Sequence, residues 1–339
     1  MNAAPVRLAL IGLGDMGTTH LKIFAGLPQA RITALADSHS LFVDRAGAKT
    51  PTADLFYDPL DCVNNAGIDA VVVATADDTH YRIVQACIAR GLPVLCEKPL
   101  TTTAEQSRLV VDAERATGRR LVQVGWMRRF DTDYQNLHGT LRSGHVGEPV
   151  LISQRHRNPL SVIKFDEREL ITSSASHDID IFRWLCGEEI AEVSAVTKTS
   201  QDGAAVIVVL TLVSQSGVLG VMELGRGPGL SYDIGCDIVG SRGAVALSPG
   251  GTGAANDHAA HPHTEAWKQR FAQAYRSQDA SWLSAVATGS PVGASAYDGY
   301  RTNAVIDAAL TSLESGRTQH TFRDSGPKSH RPNTYRQRN

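Results

Sequence analysis

Residues able to bind a hydride carrier and to move a proton occur at four places in this chain. Gly12-Leu13-Gly14-Asp15-Met16-Gly17 follows the apolar run Leu8-Ala9-Leu10-Ile11 and leads into a stretch with helical spacing. In that strand–loop–helix setting Gly12 permits a tight turn, Gly14 lets the backbone approach a pyrophosphate, and Gly17 allows close helix–sheet packing. The helix start at Asp15 and Met16 presents amide donors to phosphate. Asp37 ends the second apolar run, where a carboxylate accepts from a ribose 2′-hydroxyl and repels a 2′-phosphate. Ser38-His39-Ser40 carries no arginine to neutralise such a phosphate, so NAD is expected rather than NADP. The plain alternative for Asp37 is a turn acid. Lys98 lies in Glu97-Lys98-Pro99, just past the run Val94-Leu95-Cys96. Ligands on a parallel sheet sit beyond the carboxyl ends of the strands, which aims Lys98 at the nicotinamide edge, against the alternative of a solvated lysine. Oxidising a secondary alcohol needs a base for the hydroxyl proton while the hydride leaves. A histidine with a pKa of ~6.5, such as His177, suits that task, and a lysine cation stabilises developing alkoxide charge. His177 as a helix-cap or core histidine is the competing reading.

The elements that would position these groups follow from periodicity. Val6–Ile11, 31–36, 70–74, Val94–Cys96 and 121–124 read as strands, with helical spacing over 17–25, 80–90 and 104–117. Near-continuous apolar strands alternating with helices imply a parallel sheet covered on both faces. From about residue 128 the pattern changes. Runs at 150–155, 191–199, 204–213, 217–224 and 232–239 are β-rich and closely spaced, interrupted by one helix at 177–185. They imply an α+β domain with a mostly antiparallel sheet. Helical patterns at 265–286, with Trp267, Phe271, Tyr275 and Trp282 as a core or subunit-interface stripe, and at 300–313 close the chain. The expected divisions are 1–127, an NAD-binding domain, 128–322, a substrate-binding and oligomerisation domain, and 323–339, a flexible polar tail.

Composition removes other classes. The chain has 339 residues, 42% hydrophobic and 20% charged, with a formal net charge of -2. That is room for two domains and offers no general attraction to nucleic acid or anionic membrane. No apolar run is long enough to span a bilayer, and the N-terminal one reads as a first strand rather than a signal peptide. Five scattered cysteines fit reduced thiols in a cytoplasmic protein. His258, His261 and His263 lie among Gly, Ala and Pro without acidic neighbours, so they read as loop rather than metal site, and no metal is expected. The five basic residues spread over the tail read as solvated.

Taken together, Gly12-x-Gly14-x-x-Gly17 and Glu97-Lys98-Pro99 resemble the glucose–fructose oxidoreductase/inositol dehydrogenase (Gfo/Idh/MocA) family. Gly125-Trp126-Met127-Arg128-Arg129-Phe130-Asp131, His156-Arg157-Asn158-Pro159 and His177-Asp178-Ile179-Asp180 resemble its inositol 2-dehydrogenase branch. The resemblance implies an α/β Rossmann domain followed by an α+β domain whose open sheet mediates a homodimer or homotetramer. It implies that Lys98 hydrogen-bonds the reacting oxygen and His177 exchanges the proton. Arg128, His156, Asn158 and Asp180 would hold substrate hydroxyls, while Thr75 and His80 would border the nicotinamide end, with Glu97 beside them. The family usually has proline where Ala76 stands. The branch also carries aspartate and tyrosine where this chain has Ser173 and Leu230, the latter two residues before Tyr232. That departure predicts a more neutral wall and a substrate other than plain myo-inositol, with an amino, deoxy, methyl or larger group facing it. The expected activity is NAD-dependent hydride transfer on a secondary alcohol or ketone of a cyclitol or sugar. A biosynthetic NADH-dependent ketone reductase and a non-catalytic nucleotide-sensing regulator are the alternatives. Retention of Lys98 and His177 argues against the regulator.

Overall fold

The structure, a computed structural model, describes residues 4–159, 166–247 and 266–321. Strands β1 (Val6–Ile11), β2 (Ala30–Ala36), β3 (Asp54–Phe56), β4 (Ala70–Val73), β5 (Val94–Cys96) and β6 (Val122–Val124) form a parallel sheet in the order β6-β5-β4-β1-β2-β3. Helices α1 (Asp15–Ala25), α2 (Ser40–Gly47), α3 (Pro59–Asn65), α4 (His80–Ala89) and α5 (Ala104–Ala116) connect the strands. All four residues of β4 are buried, as expected for a strand covered on both faces. The order reverses between β1 and β4, and a crevice opens there at the carboxyl ends. Periodicity had not revealed α2, α3 or β3. Helix α3 is short and depends on its cap: Asp58 accepts from the Leu60 and Asp61 amides, with Pro59 in the first turn.

The second unit begins with α6 (Thr132–Arg142) and β7 (Pro149–Asn158). A short α7 (Glu167–Glu169) runs through a π-helical turn, Leu170–Ser174, into α8 (Ala175–Cys186). Then come β8 (Ile190–Thr199), β9 (Val206–Ser214), β10 (Leu219–Arg226), β11 (Asp233–Gly240) and β12 (Gly243–Ala246), followed by α9 (Ala266–Thr288), β13 (Ala294–Ser295), α10 (Ala296–Ser315) and β14 (Gln319–His320). The sheet order is β12-β11-β7-β10-β9-β8-β14; β7 and β10 pair in parallel and every other pairing is antiparallel. Alternation along β9 sends Val206, Val208, Leu210 and Leu212 into a core shared with Phe182 of α8 and Val305 and Ala309 of α10.

Part of the 128–322 stretch packs against the first sheet. Strand β13 pairs antiparallel with β6 at the edge of the first sheet. Trp282 and Leu283 of α9 belong to the core around Leu8, Leu10 and Phe24, so the C-terminal helices return to the NAD-binding unit. Its apolar surface behind β1 and β6 would otherwise face water. The expected loop at 249–255, His258, His261, His263 and the 323–339 tail lie outside the described residues. All five cysteines are free thiols. Among the described residues, no helix is long and apolar enough to cross a membrane.

Candidate active site

The glycine loop is built as its spacing requires. Gly12 has φ +87°, and a Cβ there would lie 2.4 Å from the Ala74 carbonyl where β1 and β4 run side by side. A Cβ on Gly17 would lie 1.8 Å from the Gly12 carbonyl oxygen, so α1 can pack this closely only with glycine there. A Cβ on Gly14, by contrast, would meet nothing within 4 Å, because this backbone faces an open groove. No side chain caps α1, so its first amides are available to a ligand. The groove, about 630 Å³, is lined by Gly12, Gly14, Asp37, His39 and Thr75, among others. Asp37 is buried, and its oxygens accept from the Leu13 amide at 2.7 Å and the His39 amide at 2.9 Å. Each carboxylate oxygen can accept a second hydrogen bond, so Asp37 pins the loop while remaining able to take a ribose hydroxyl. These donors, the bare backbone at Gly14 and the acid at the end of β2 fit a dinucleotide.

A second cavity, of about 260 Å³, opens at the carboxyl ends of β5 and β6. Lys98, Arg128, His156, Asn158, Ser173, His177 and Tyr232 line it, with Met16 and Glu97 on the side of the glycine loop. His177 is buried and its Nδ1 has no hydrogen-bond partner. Burial, then Lys98, Arg128 and the His156 ring, push its pKa well below the ordinary value. The imidazole is therefore neutral at neutral pH, ready to accept a proton. His156 sits with its ring centroid 6.3 Å from that of His177. Its Nδ1 lies 2.6 Å from Asp178 Oδ2, and burial keeps its pKa below the ordinary value despite Asp178. A neutral ring donating from Nδ1 leaves Nε2 as an acceptor. Arg128 donates to Asp178 Oδ1 at 2.6 Å, so one buried carboxylate orients both Arg128 and His156. Burial pushes the Tyr232 phenol up to about 12, which keeps it a donor.

Residues 6–126 match the oxidoreductase family with an NAD-binding Rossmann fold, and residues 134–246 match the GFO/IDH/MocA C-terminal domain. The chain belongs to the Gfo/Idh/MocA oxidoreductase family. It is 38% identical over 322 residues to inositol 2-dehydrogenase 1 of Saccharopolyspora erythraea, covering 92% of this chain and 95% of that protein. With inositol 2-dehydrogenase of Rhodococcus erythropolis it shares 34% over 332 residues, covering 92% and 94%. The myo-inositol dehydrogenase of Lactobacillus casei, solved with NAD(H) and myo-inositol, superposes with a TM-score of 0.85 at 26% identity, covering 96% of this chain and 99% of that one. This Gfo/Idh/MocA chain is an NAD-dependent oxidoreductase.

Of the residues expected to hold substrate, Asp180 and Leu230 lie outside the cavity wall, and the surroundings of the cofactor-side residues differ in detail. Asp180 is buried away from the cavity, where Arg129 donates to both of its oxygens at 2.9 and 2.6 Å. Its neighbour Asp178 meets the cavity residues instead. Helix α8 is buried from Ala175 through Arg183, so it has no solvent face from which spacing could rank two acids. Leu230 is not in the wall; its Cδ1 would be 3.1 Å from a Cβ on Gly225. Gly225 points to the opposite side of β10 from Leu224 and Arg226, and Arg226 lines the cavity instead. His80 is also away from the cavity: its ring sits between the β4 and β5 loops, with Nδ1 2.8 Å from the Pro99 carbonyl and Nε2 3.2 Å from the Thr75 carbonyl, and its N–H donates to one of them. Thr75 lines the groove and accepts from the Thr79 hydroxyl at 2.6 Å, so no proline is needed at Ala76 to hold that turn. Asp15 is exposed and accepts from Lys268 at 2.7 Å.

The periodic reading also missed residues. Arg226, Trp267, Tyr275, Met127 and Ser174 share the cavity wall. Arg226 lies two residues beyond buried Leu224, beside Asn158 in the β7–β10 register, so strand parity could have placed it. His20 lies beneath the site. Its Nδ1 meets Asp279 Oδ2 at 2.8 Å and its Nε2 meets Glu97 Oε1 at 3.0 Å. Burial alone would lower its pKa, but Asp279 and Glu97 outweigh it and push it up to about 10. An imidazolium between two carboxylates thus joins α1, the β5 loop that carries Lys98, and α9.

Proposed function

We propose that this chain interconverts a ring secondary alcohol and its ketone on a cyclitol, with His177 as proton acceptor and Lys98 as oxyanion stabiliser. One observation carries the reading: a buried, neutral, unpartnered imidazole faces the same small cavity as a lysine at the carboxyl end of β5. Bound NAD supplies the hydride acceptor. The groove beside Gly14 and Asp37 would hold it, with the α1 amides toward its phosphates. Lys98 Nζ donates to the substrate oxygen and stabilises its charge as the proton leaves. His177 takes that proton; its depressed pKa disfavours holding the proton, so it passes on readily toward water. His156 Nε2, Asn158 and Tyr232 orient neighbouring hydroxyls, and Arg128 is held rigid by Asp178. At about 260 Å³ the cavity falls below the ~300–1,000 Å³ of drug-sized sites, in keeping with a single ring. The inositol dehydrogenases to which the chain is similar act on substrates of that size.

The open face of the second sheet supports a homo-oligomer. By strand register Val196, Leu219, Val221 and Val239 share the side turned away from α8 and α10, and all four are exposed. A second copy laid sheet to sheet would cover them.

The site is tested by Lys98→Ala and His177→Ala, each expected to lower turnover by ~10²-fold or more. NAD affinity should hold near wild type, because neither residue lines the groove at Asp37. Near-wild-type turnover in either variant removes that residue from the mechanism.

A further inference from the structure

The backbone root of Lys98 is tied to a buried chain of charges. Its amide donates to Glu97 Oε2 at 3.2 Å, and Glu97 Oε1 lies 3.0 Å from His20 Nε2. His20 Nδ1 in turn meets Asp279 Oδ2 at 2.8 Å. His20 and Asp279 are wholly buried and Glu97 nearly so. The imidazole is also caged by rings: Tyr275 of α9 stands edge-on to it at 6.0 Å, and Phe24 of α1 lies against it at 6.4 Å. The end of β6 closes on the same carboxylate, since a Cβ on Gly125 would come within 3.0 Å of Glu97 Oε1. A protonated imidazole has two N–H donors pointing away from each other, so it can hold both carboxylates at once. On α1, His20 follows Met16 by one turn. Met16 lines the substrate cavity, and the start of the same helix borders the dinucleotide groove at Gly14. Helix α9 likewise gives Asp279 to the ring and Tyr275 to the cavity wall.

Resting on the role given above to Lys98, we infer that His20 is a positioning residue for hydride transfer: anchored by Asp279, it holds Glu97, and through Glu97 the Lys98 backbone, in register with the dinucleotide-binding helix. The effect falls on turnover rather than on binding. An oxyanion donor must sit where charge develops, and a displacement of ~1 Å can cost ~10²-fold in rate. The link to Glu97, on the side of Lys98, is the one that carries this effect; the link to Asp279 holds the ring in place.

Two neutral replacements separate positioning from stability. The terminal NH2 of Gln in His20→Gln reaches the place of Nε2 and can still donate to Glu97, whereas Asn in His20→Asn matches Nδ1 and can donate only to Asp279. Both leave two buried carboxylates without a cation, so both should lower Tm. The probes are myo-, scyllo- and chiro-inositol with NAD, and the one that wild type oxidises fastest is used throughout. Its kcat should fall ~10-fold or more in His20→Asn and stay within ~3-fold of wild type in His20→Gln, with NADH affinity unchanged in both. Adding Asp279→Asn to His20→Asn removes one stranded carboxylate and should recover Tm without recovering kcat. Hydrogen exchange at the Lys98 amide, measured by NMR in the NADH-loaded protein, should quicken in His20→Asn and stay slow in His20→Gln. Equal kcat in the two variants, or losses that track Tm, overturns the inference. So does full addition of the His20→Asn and Lys98→Ala losses in the double variant, because a residue acting through Lys98 has nothing left to act on there. The exchange pattern without turnover of any cyclitol by wild type would uphold the link from His20 to Lys98 and sink the cyclitol reading. Turnover lost in Lys98→Ala but indifferent to His20 would do the reverse.

Discussion

Replacing Asp37 by Asn keeps the shape of the side chain and removes its charge, which separates two roles the structure gives it. The carboxylate accepts from the Leu13 and His39 amides at 2.7 and 2.9 Å, and it lines the dinucleotide groove. Asn has one acceptor oxygen, so one of those amides must face an NH2 group. A hydrogen bond to a charged group is worth ~1.5–3 kcal/mol, and in a domain of this size that lowers Tm by about 3–6 °C. For the cofactor, a unit of negative phosphate charge ~4 Å from the carboxylate costs ~4 kcal/mol at an effective dielectric constant of ~20, or ~10³-fold. Wild type should therefore favour NAD over NADP by ~10³-fold in kcat/KM, and Asp37→Asn should narrow the ratio to ~10-fold or less. Thermal unfolding and paired NAD and NADP kinetics read the two effects separately. A lowered Tm with an unchanged NAD/NADP ratio would refute the reasoning, leaving Asp37 as a loop pin alone.

Further predictions concern protonation. His177 acts as a base when neutral and its pKa lies well below 6.5, so the acid limb of kcat/KM for alcohol oxidation should fall below pH 6.5. Ser173→Asp places an anion in the same cavity and should raise that limb by about one unit, ~1.4 kcal/mol of charge interaction; a limb that stays put would detach it from His177. His20 is raised from 6.5 to about 10, so its contribution to stability is fully present below pH 6.5 and is lost as pH rises through about 10. Its replacement by Asn leaves Glu97 and Asp279 buried without a cation, a cost of ~3–5 kcal/mol visible in urea unfolding at neutral pH, and should flatten the decline of Tm between neutral and alkaline pH.

What the sequence made legible was local. β5 is an unbroken apolar run and β1 is one but for exposed Arg7, and the three loop glycines occupy positions whose steric demands can be read from spacing. Lys98, Arg128, His156, Asn158, Ser173, His177 and Tyr232 converge on one cavity, as the motifs that carry the family resemblance implied. The rest depended on partners distant in sequence. Asp178 and Asp180 differ in role because Arg128 takes one and Arg129 the other, a choice made by packing across 50 and 51 residues of chain. The π-helical turn at Leu170–Ser174 breaks the regular spacing that would relate Ser173 to His177. The pairing of β13 with β6 joins residues too few to show any period.

The most direct measurement uses cyclitols deuterated at their ring carbinol carbons, incubated with NAD and followed by mass spectrometry of the nucleotide. The account predicts NADH carrying one deuterium from a single ring position, formed by wild type and slowed by ~10²-fold or more in His177→Ala. Label that never reaches the nucleotide, or that reaches it as fast without His177, would contradict it.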